Sequence, residues 1–239
     1  NVSGSIELLK AMQRHDCRRI VFSSSATVYG EAKYLPYDEQ HPLRPTNPYG
    51  RTKYFIEEII RDWTSSWKDA SAVLLRYFNP VGADASGRIG EDPNGIPNNL
   101  VPYISQVAVG RLKHLNVFGA DYETRDGTGE RDYIHVEDLA RAHLAAIEFS
   151  ATSTGCETTN VGTGQGATVL EMVKAFEHAS GRAVPYKIGQ PREGDVARSL
   201  AAVDKAERLL GWKAKLGVAD MCRTTWNWQS TNPNGYTPD

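Results

Sequence analysis

Between Ser3 and His15 the apolar residues Ile6, Leu9 and Met12 recur at three-residue steps, with Leu8 beside them, which is the spacing of an amphipathic helix. Asn1 or Ser3 can cap its start. Arg19-Ile20-Val21-Phe22 then reads as a short buried strand, closed by the polar run Ser23-Ser24-Ser25. Prolines 36, 42, 45 and 48 mark an irregular loop that ends at Asn47-Pro48. From Tyr49 to Trp67 the apolar residues Phe55, Ile56, Ile59, Ile60 and Trp63 fall at helical spacing, and Ala72 to Tyr77 is a continuous apolar strand. The order helix, strand, helix, strand predicts an α/β fold with a parallel sheet and helical crossovers.

After Asn79-Pro80 the texture changes to a loop-rich stretch punctuated by Gly82, Gly87, Gly90, Gly95 and prolines 93, 97 and 102. A domain boundary near residue 80 is therefore expected, with 1–79 on one side and 80–239 on the other. Helices are predicted at Leu100–Arg111, Val136–Glu148, Leu170–Ala179 and Asp204–Leu210, the last stopping at Gly211, and strands at Leu115–Phe118 and Thr159–Val161. Short mixed elements of this kind suit a smaller α+β lobe.

The composition narrows the function classes. Of 239 residues, 40% are hydrophobic and the formal charge is −2 with no basic block, so a nucleic-acid surface is not expected. No apolar run approaches the length of a membrane span and mean hydropathy is −0.46, so no membrane partner is expected either. Cys17, Cys156 and Cys222 lie far apart without a CxxC pair, which argues against a zinc ribbon or disulfide framework and suits a reducing, cytoplasmic setting. No metal site is assigned.

Tyr49 and Lys53 stand four residues apart at the start of the second predicted helix and so project from one face. Many surface helices carry Tyr and Lys at that spacing. Ser24 adds weight, because it sits at the C-terminal end of the preceding strand, where open α/β sheets bind ligands. The three side chains can converge on one substrate hydroxyl, although a polar run such as Ser23–Ser25 can also simply end a strand. An ammonium about 4 Å from a phenol, at an effective dielectric of about 20, is worth roughly 4 kcal/mol, or about three pKa units. Lys53 is thus expected to lower Tyr49 from its ordinary value of about 10 into the range of a usable base.

Further blocks stand along the chain: Phe22-Ser23-Ser24-Ser25-Ala26-Thr27-Val28-Tyr29-Gly30, Arg76-Tyr77-Phe78-Asn79-Pro80, Gly95-Ile96-Pro97-Asn98-Asn99-Leu100, Asp126-Gly127-Thr128-Gly129, Arg131-Asp132-Tyr133-Ile134-His135-Val136 and Arg192-Glu193-Gly194-Asp195. With Tyr49-Gly50-x-x-Lys53 they give the chain a resemblance, over essentially its whole length, to the UDP-glucose (UDP-galactose) 4-epimerase family of extended short-chain dehydrogenase/reductases. The resemblance implies a Rossmann-like, NAD(P)-binding doubly wound parallel sheet with a smaller α+β substrate domain, and a segment near 131–150 that packs back on the sheet domain. It implies NAD held as a recycled prosthetic group and a UDP-sugar substrate in galactose metabolism.

The same resemblance assigns roles to residues. Tyr49 removes the sugar 4-hydroxyl proton while the C4 hydride passes to NAD, Ser24 hydrogen-bonds that hydroxyl, and Lys53 contacts the nicotinamide ribose. The 4-keto sugar then turns over and takes the hydride on its other face. Tyr77 and Ser23 match cofactor-side positions, and Ala26, Asn79, Asn98, Asn99 and Leu100 match substrate contacts. Arg131 and Arg192 match diphosphate contacts, for which the guanidinium fork is well shaped. Asp195 matches a ribose contact, and Asn116 to Phe118 the uracil-side strand. A homodimer through the helices nearest Ile6 and Ile56 is implied as well.

Three features qualify the picture. The chain does not begin with Met, has no strand ahead of Asn1, and has no Gly-rich fingerprint near its start; Gly162-x-Gly164-x-Gly166 lacks the required spacing. A missing N-terminal part on the order of 70–100 residues is the expectation, and the chain alone is not expected to retain NAD or activity. Ser199, four residues beyond Asp195, matches the position that lines the sugar pocket in this family; its small side chain predicts that N-acetylated UDP-sugars are accepted too, with Arg198 beside it unusual. The nearest rival function is that of an NAD-dependent nucleotide-sugar dehydratase or decarboxylase; a dehydratase would carry an Asp-Glu pair after the strand-end hydroxyl, where Ser25-Ala26 stand here, and a non-catalytic sugar-nucleotide binder would be expected to lose Tyr49, Lys53 or Ser24.

Overall fold

A computed structural model describes residues 1–192 and 194–236. In chain order it contains α1 (Val2–Arg14), β1 (Arg19–Ser25), a 3-10 turn (Ala26–Val28), α2 (Pro48–Ser66), β2 (Ser71–Tyr77), β3 (Asn79–Val81), α3 (Leu100–Ala108), β4 (Leu115–Phe118) and β5 (Glu130–His135). There follow α4 (Val136–Thr152), β6 (Gly155–Val161), β7 (Gly166–Thr168), α5 (Val169–Ser180), β8 (Tyr186–Gly189), β9 (Arg198–Ser199), α6 (Asp204–Leu210) and α7 (Val218–Thr231). No described helix is long and apolar enough to cross a membrane.

The chain forms two compact units. Unit 1 comprises Asn1–Phe78, Leu139–Gly164 and Ala201–Lys213; unit 2 comprises Asn79–Asp138, Gln165–Leu200 and Ala214–Asp239.

Unit 1 is built on a parallel sheet in the order β1-β2-β6, with Ser24 opposite Arg76 and Ser25 opposite Tyr77 at the strand ends. Its central strand β2 is buried along nearly its whole length, which is why Ala72–Leu75 can be uniformly apolar. Leu9 and Met12 of α1, Ile56 and Ile60 of α2, and Ala72 and Leu74 of β2 form one core cluster, joined by Ile20 and Phe22. Helix α2 starts where Asn47 accepts a hydrogen bond from Gly50 N at 2.8 Å, with Pro48 in its first turn.

In unit 2, β5 pairs with β3 and β9 in parallel and with β7 in antiparallel, while β4 and β8 form a separate parallel pair. The core gathers Val101, Ile104 and Val107 of α3, Leu115 and Val117 of β4, Met172, Val173 and Phe176 of α5, and Met221 and Cys222 of α7. Helix α5 is closed by a capping box of Thr168 and Glu171 at one end and by Gly181 in the left-handed region at the other.

Candidate active site

Tyr49 lies in the first turn of α2. Its neighbour Gly50 lets that turn approach closely: a Cβ there would stand 2.7 Å from Thr27 O and 3.0 Å from Pro45 Cβ. The turn after β1 and the start of α2 are thereby brought together, and the Ser25 side chain hydrogen-bonds the Tyr49 side chain. Tyr49 is 47% exposed, so its ring is open to a ligand. Lys53, one turn along, donates to Ser23 O at 2.7 Å and lies 4.9 Å from the Phe22 ring centroid and 5.6 Å from that of Tyr49.

This geometry corrects the expected electrostatics. Partial burial raises the Tyr49 pKa, the nearby Tyr77 adds to it, and the Ser25 hydrogen bond works the other way. Burial also lowers Lys53. The ammonium serves the Ser23 carbonyl. In the chain without ligands the expected three-unit lowering of Tyr49 is therefore absent.

Ser24 also requires correction. Side chains alternate along a strand, so Ser24 falls in phase with Ile20 and Phe22, which pack against α2. It is fully buried and donates to Glu57 Oε1 at 2.5 Å. Glu57 in turn takes Nε and Nη2 of Arg76 at 2.9 and 2.5 Å, and the Arg76 Nη1 reaches the Tyr29 hydroxyl at 3.3 Å. Ser24 therefore belongs to a closed core network, and the hydroxyl that meets Tyr49 is that of Ser25, whose oxygen also accepts from Thr27 N. The strand phase set by Ile20 and Phe22 separates the two serines.

The remaining unit 1 candidates are Ser23, Ala26 and Tyr77. Ser23 shares a hydrogen bond with His143 Nε2 at 2.9 Å. Ala26 packs against the Val28, Tyr29 and Tyr37 cluster. Tyr77 closes β2, half-buried, with its ring centroid 6.5 Å from that of His143.

Unit 2 holds a cavity of about 560 Å³. Nine of the sequence candidates line it: Asn79, Asn98, Asn99, Leu100, Asn116, Phe118, Arg131, Arg192 and Asp195. Asp195 gathers the cations, accepting from Arg192 Nε at 2.8 Å and standing 3.9 Å from Arg131 Nη2. The Arg192 guanidinium also lies 4.9 Å from the centroid of the Phe118 ring. Two guanidiniums against one carboxylate leave this wall with a net positive charge suited to an anionic ligand, and the aromatic face of Phe118 suits a planar base. Asn79 turns its amide to Asp132 O at 2.7 Å. Ser199 is not among the lining residues; it sits on β9 opposite Arg131. Glu193, quoted with the Arg192–Asp195 block, lies outside the described residues. Tyr103 and Tyr122 also line the cavity, Tyr103 from α3 and Tyr122 from the loop after β4; neither carries a motif that marks it in the sequence.

Comparison with known proteins places the chain. Residues 1–162 match the model of the NAD dependent epimerase/dehydratase family. The UDP-glucose 4-epimerase of Mus musculus is 58% identical over 237 residues, 99% of this chain and 68% of the relative. Among solved structures, the UDP-glucose-4-epimerase of Stenotrophomonas maltophila, with bound NAD and formylated UDP-arabinopyranose, superposes with a TM-score of 0.94 at 51% identity, covering 97% of this chain and 69% of that one. That of Bifidobacterium longum, in complex with NAD+ and UDP, gives 0.93 at 52% identity with the same coverage. The chain belongs to the NAD dependent epimerase/dehydratase family and, within it, to the UDP-glucose 4-epimerases.

Proposed function

We propose that the protein interconverts UDP-glucose and UDP-galactose by inverting the sugar at C4, using NAD that stays bound and is recycled. The observation that carries this reading is the Tyr49 side chain hydrogen-bonded by Ser25 at the carboxyl end of β1, with Lys53 one helical turn away. Tyr49 takes the proton of the 4-hydroxyl and returns it after the 4-keto sugar has turned its other face, while Ser25 holds the hydroxyl in line.

The donor set fits NAD. The Lys53 ammonium donates to Ser23 O, leaving further donors for ribose hydroxyls, and Tyr49 at the start of α2 and Tyr77 at the end of β2 present phenols. When bound, the nicotinamide supplies the hydride acceptor and donor at C4. Unit 1 then carries the reaction groups. Unit 2 carries the uridine diphosphate, with Arg131 and Arg192 on the phosphates, Asp195 toward the ribose and Asn116 to Phe118 on the uracil side.

The substrate range extends to N-acetylated UDP-sugars, because Ser199 is small. A homodimer through α1 and α2 is supported by Leu8 and Phe55, 53% and 52% exposed on those helices; Ile56 itself lies in the core. We place the enzyme in cytoplasmic galactose metabolism.

An NMR product assay of the longest available form of the protein, loaded with NAD, with UDP-galactose and without added reductant, tests the reading. UDP-glucose should appear, and Tyr49→Phe should abolish it. Protein shown to carry NAD that converts no UDP-galactose would overturn the assignment.

A further inference from the structure

The segment carrying Arg192 and Asp195 returns to the sheet through β9, which pairs with β5 for two residues only, Arg198 opposite Glu130 and Ser199 opposite Arg131. Beside that ladder, Glu130 N donates to Ala197 O at 2.8 Å, with Arg131 Nη1 reaching the same oxygen at 3.4 Å. So short a ladder is a weak hold on an exposed segment. The side chain of Arg198 adds a stronger one: its Nε donates to Glu130 Oε2 at 2.6 Å, and the Glu130 side chain is only 3% exposed. The other oxygen, Oε1, takes Arg125 Nη1 at 2.6 Å, and Arg125 is tied to Glu171 on α5. Glu130 thus has one guanidinium per oxygen, one from β9 and one from elsewhere.

Because side chains alternate along β5, Glu130 and Arg131 face opposite sides of the strand. Arg131 lines the cavity, whereas Glu130 and Arg198 do not. Arg198 therefore has no direct contact to offer a ligand there.

We propose that Arg198 is a positioning residue for nucleotide binding: its ion pair with buried Glu130 pins β9 to β5 and so holds Arg192 and Asp195 beside Arg131. This rests on reading the cavity as a nucleotide-diphosphate site. Arg125, gripping the same carboxylate from outside the 192–199 segment, supplies the internal control.

Calorimetric titration of the NAD-loaded protein with UDP at fixed ionic strength tests it, with Arg198→Ala, Arg198→Lys and Arg125→Ala beside the parent. Arg198→Ala should weaken UDP by about tenfold, with Arg198→Lys recovering most of the loss. Turnover should show a raised KM with kcat unchanged. Arg125→Ala should lower the melting temperature yet leave UDP affinity within about twofold. Equal UDP affinity in the parent and Arg198→Ala, or a loss in Arg125→Ala as large as that in Arg198→Ala, would overturn the positioning role. A parent that binds no UDP would instead overturn the reading of the cavity, and the inference with it.

Discussion

The Ser24 hydroxyl donates to Glu57 Oε1 at 2.5 Å in a fully buried contact, whereas its neighbour Ser25 bonds Tyr49. One residue along the strand separates a core bond from the bond to Tyr49. Ser25→Ala is expected to lower kcat about a hundredfold with little change in KM, the scale of a lost aligning hydrogen bond at a proton transfer. Ser24→Ala should keep kcat near the parent value but lose about 1–3 kcal/mol of stability, since a buried Glu57 oxygen loses a donor. Steady-state kinetics beside urea unfolding of both variants separates the roles, and a larger kcat loss in Ser24→Ala would reverse them.

The Glu57–Arg76 pair is buried, with side chains 0% and 2% exposed. Glu57→Gln leaves a buried guanidinium without its counter-charge and should cost about 3–5 kcal/mol. The double change Glu57→Leu with Arg76→Met removes both charges and should fall well short of the sum of the two single losses. A double-mutant cycle in urea measures the coupling, and simple additivity would show that the pair acts independently.

Burial pushes Tyr29 up to about 12, against the opposing influence of Arg76. A raised folded-state pKa means that the native state holds its proton longer than the unfolded chain. The stabilisation is therefore complete below pH 10 and lost between about 10 and 12, amounting to about 3 kcal/mol. Urea midpoints measured across that range should fall, and more shallowly in Tyr29→Phe. Parallel slopes in the two proteins would assign the alkaline loss to other groups.

Tyr49 titrates above its ordinary value because burial outweighs the Ser25 hydrogen bond, and Lys53 is directed to Ser23 O. In protein free of NAD, the tyrosinate absorbance that disappears in Tyr49→Phe should therefore have its midpoint above pH 10. Lys53→Met should move that midpoint by less than about one unit, instead of the roughly three units that close ammonium contact would give. A large upward shift in Lys53→Met would restore the direct electrostatic role.

The pattern of apolar positions made the parallel-sheet elements legible. The predicted strand at Ala72–Tyr77 and helix at Tyr49–Trp67 differ from β2 and α2 by a residue at their ends, and Gly211 stops α6 with φ of 62°, where glycine is favoured. β5 is not legible in the sequence, because Glu130, Arg131 and Asp132 look like a surface run, although Glu130 and Asp132 are buried with polar partners. Nor is α7, whose buried face uses Thr224, Thr225 and Gln229 alongside Met221 and Trp228, so that polarity hides the amphipathic period. The two-residue β9 and three-residue β7 are set by pairing with β5, which no local pattern encodes. Among the candidate residues, the four-residue spacing makes Tyr49 and Lys53 legible as a pair, whereas telling Ser25 from Ser24 takes the two-residue strand phase visible at Ile20 and Phe22.

Ser199 pairs with Arg131 across β9 and β5, and alternation places its side chain on the Arg131 side of the strand. Arg131 lines the cavity, so a larger side chain at 199 would grow toward the region assigned to the sugar nucleotide. Ser199→Tyr is expected to reduce kcat/KM for UDP-N-acetylgalactosamine at least tenfold while changing that for UDP-galactose by less than about threefold, because a steric block acts only on the bulkier sugar. Since Arg198, the adjacent pin, is untouched, UDP affinity should stay near the parent value. Parallel NMR product assays on the two sugars decide the matter: equal N-acetyl turnover in parent and variant removes Ser199 as a gate, and an equal loss on both sugars would mean that the substitution displaces β9 instead of narrowing the pocket.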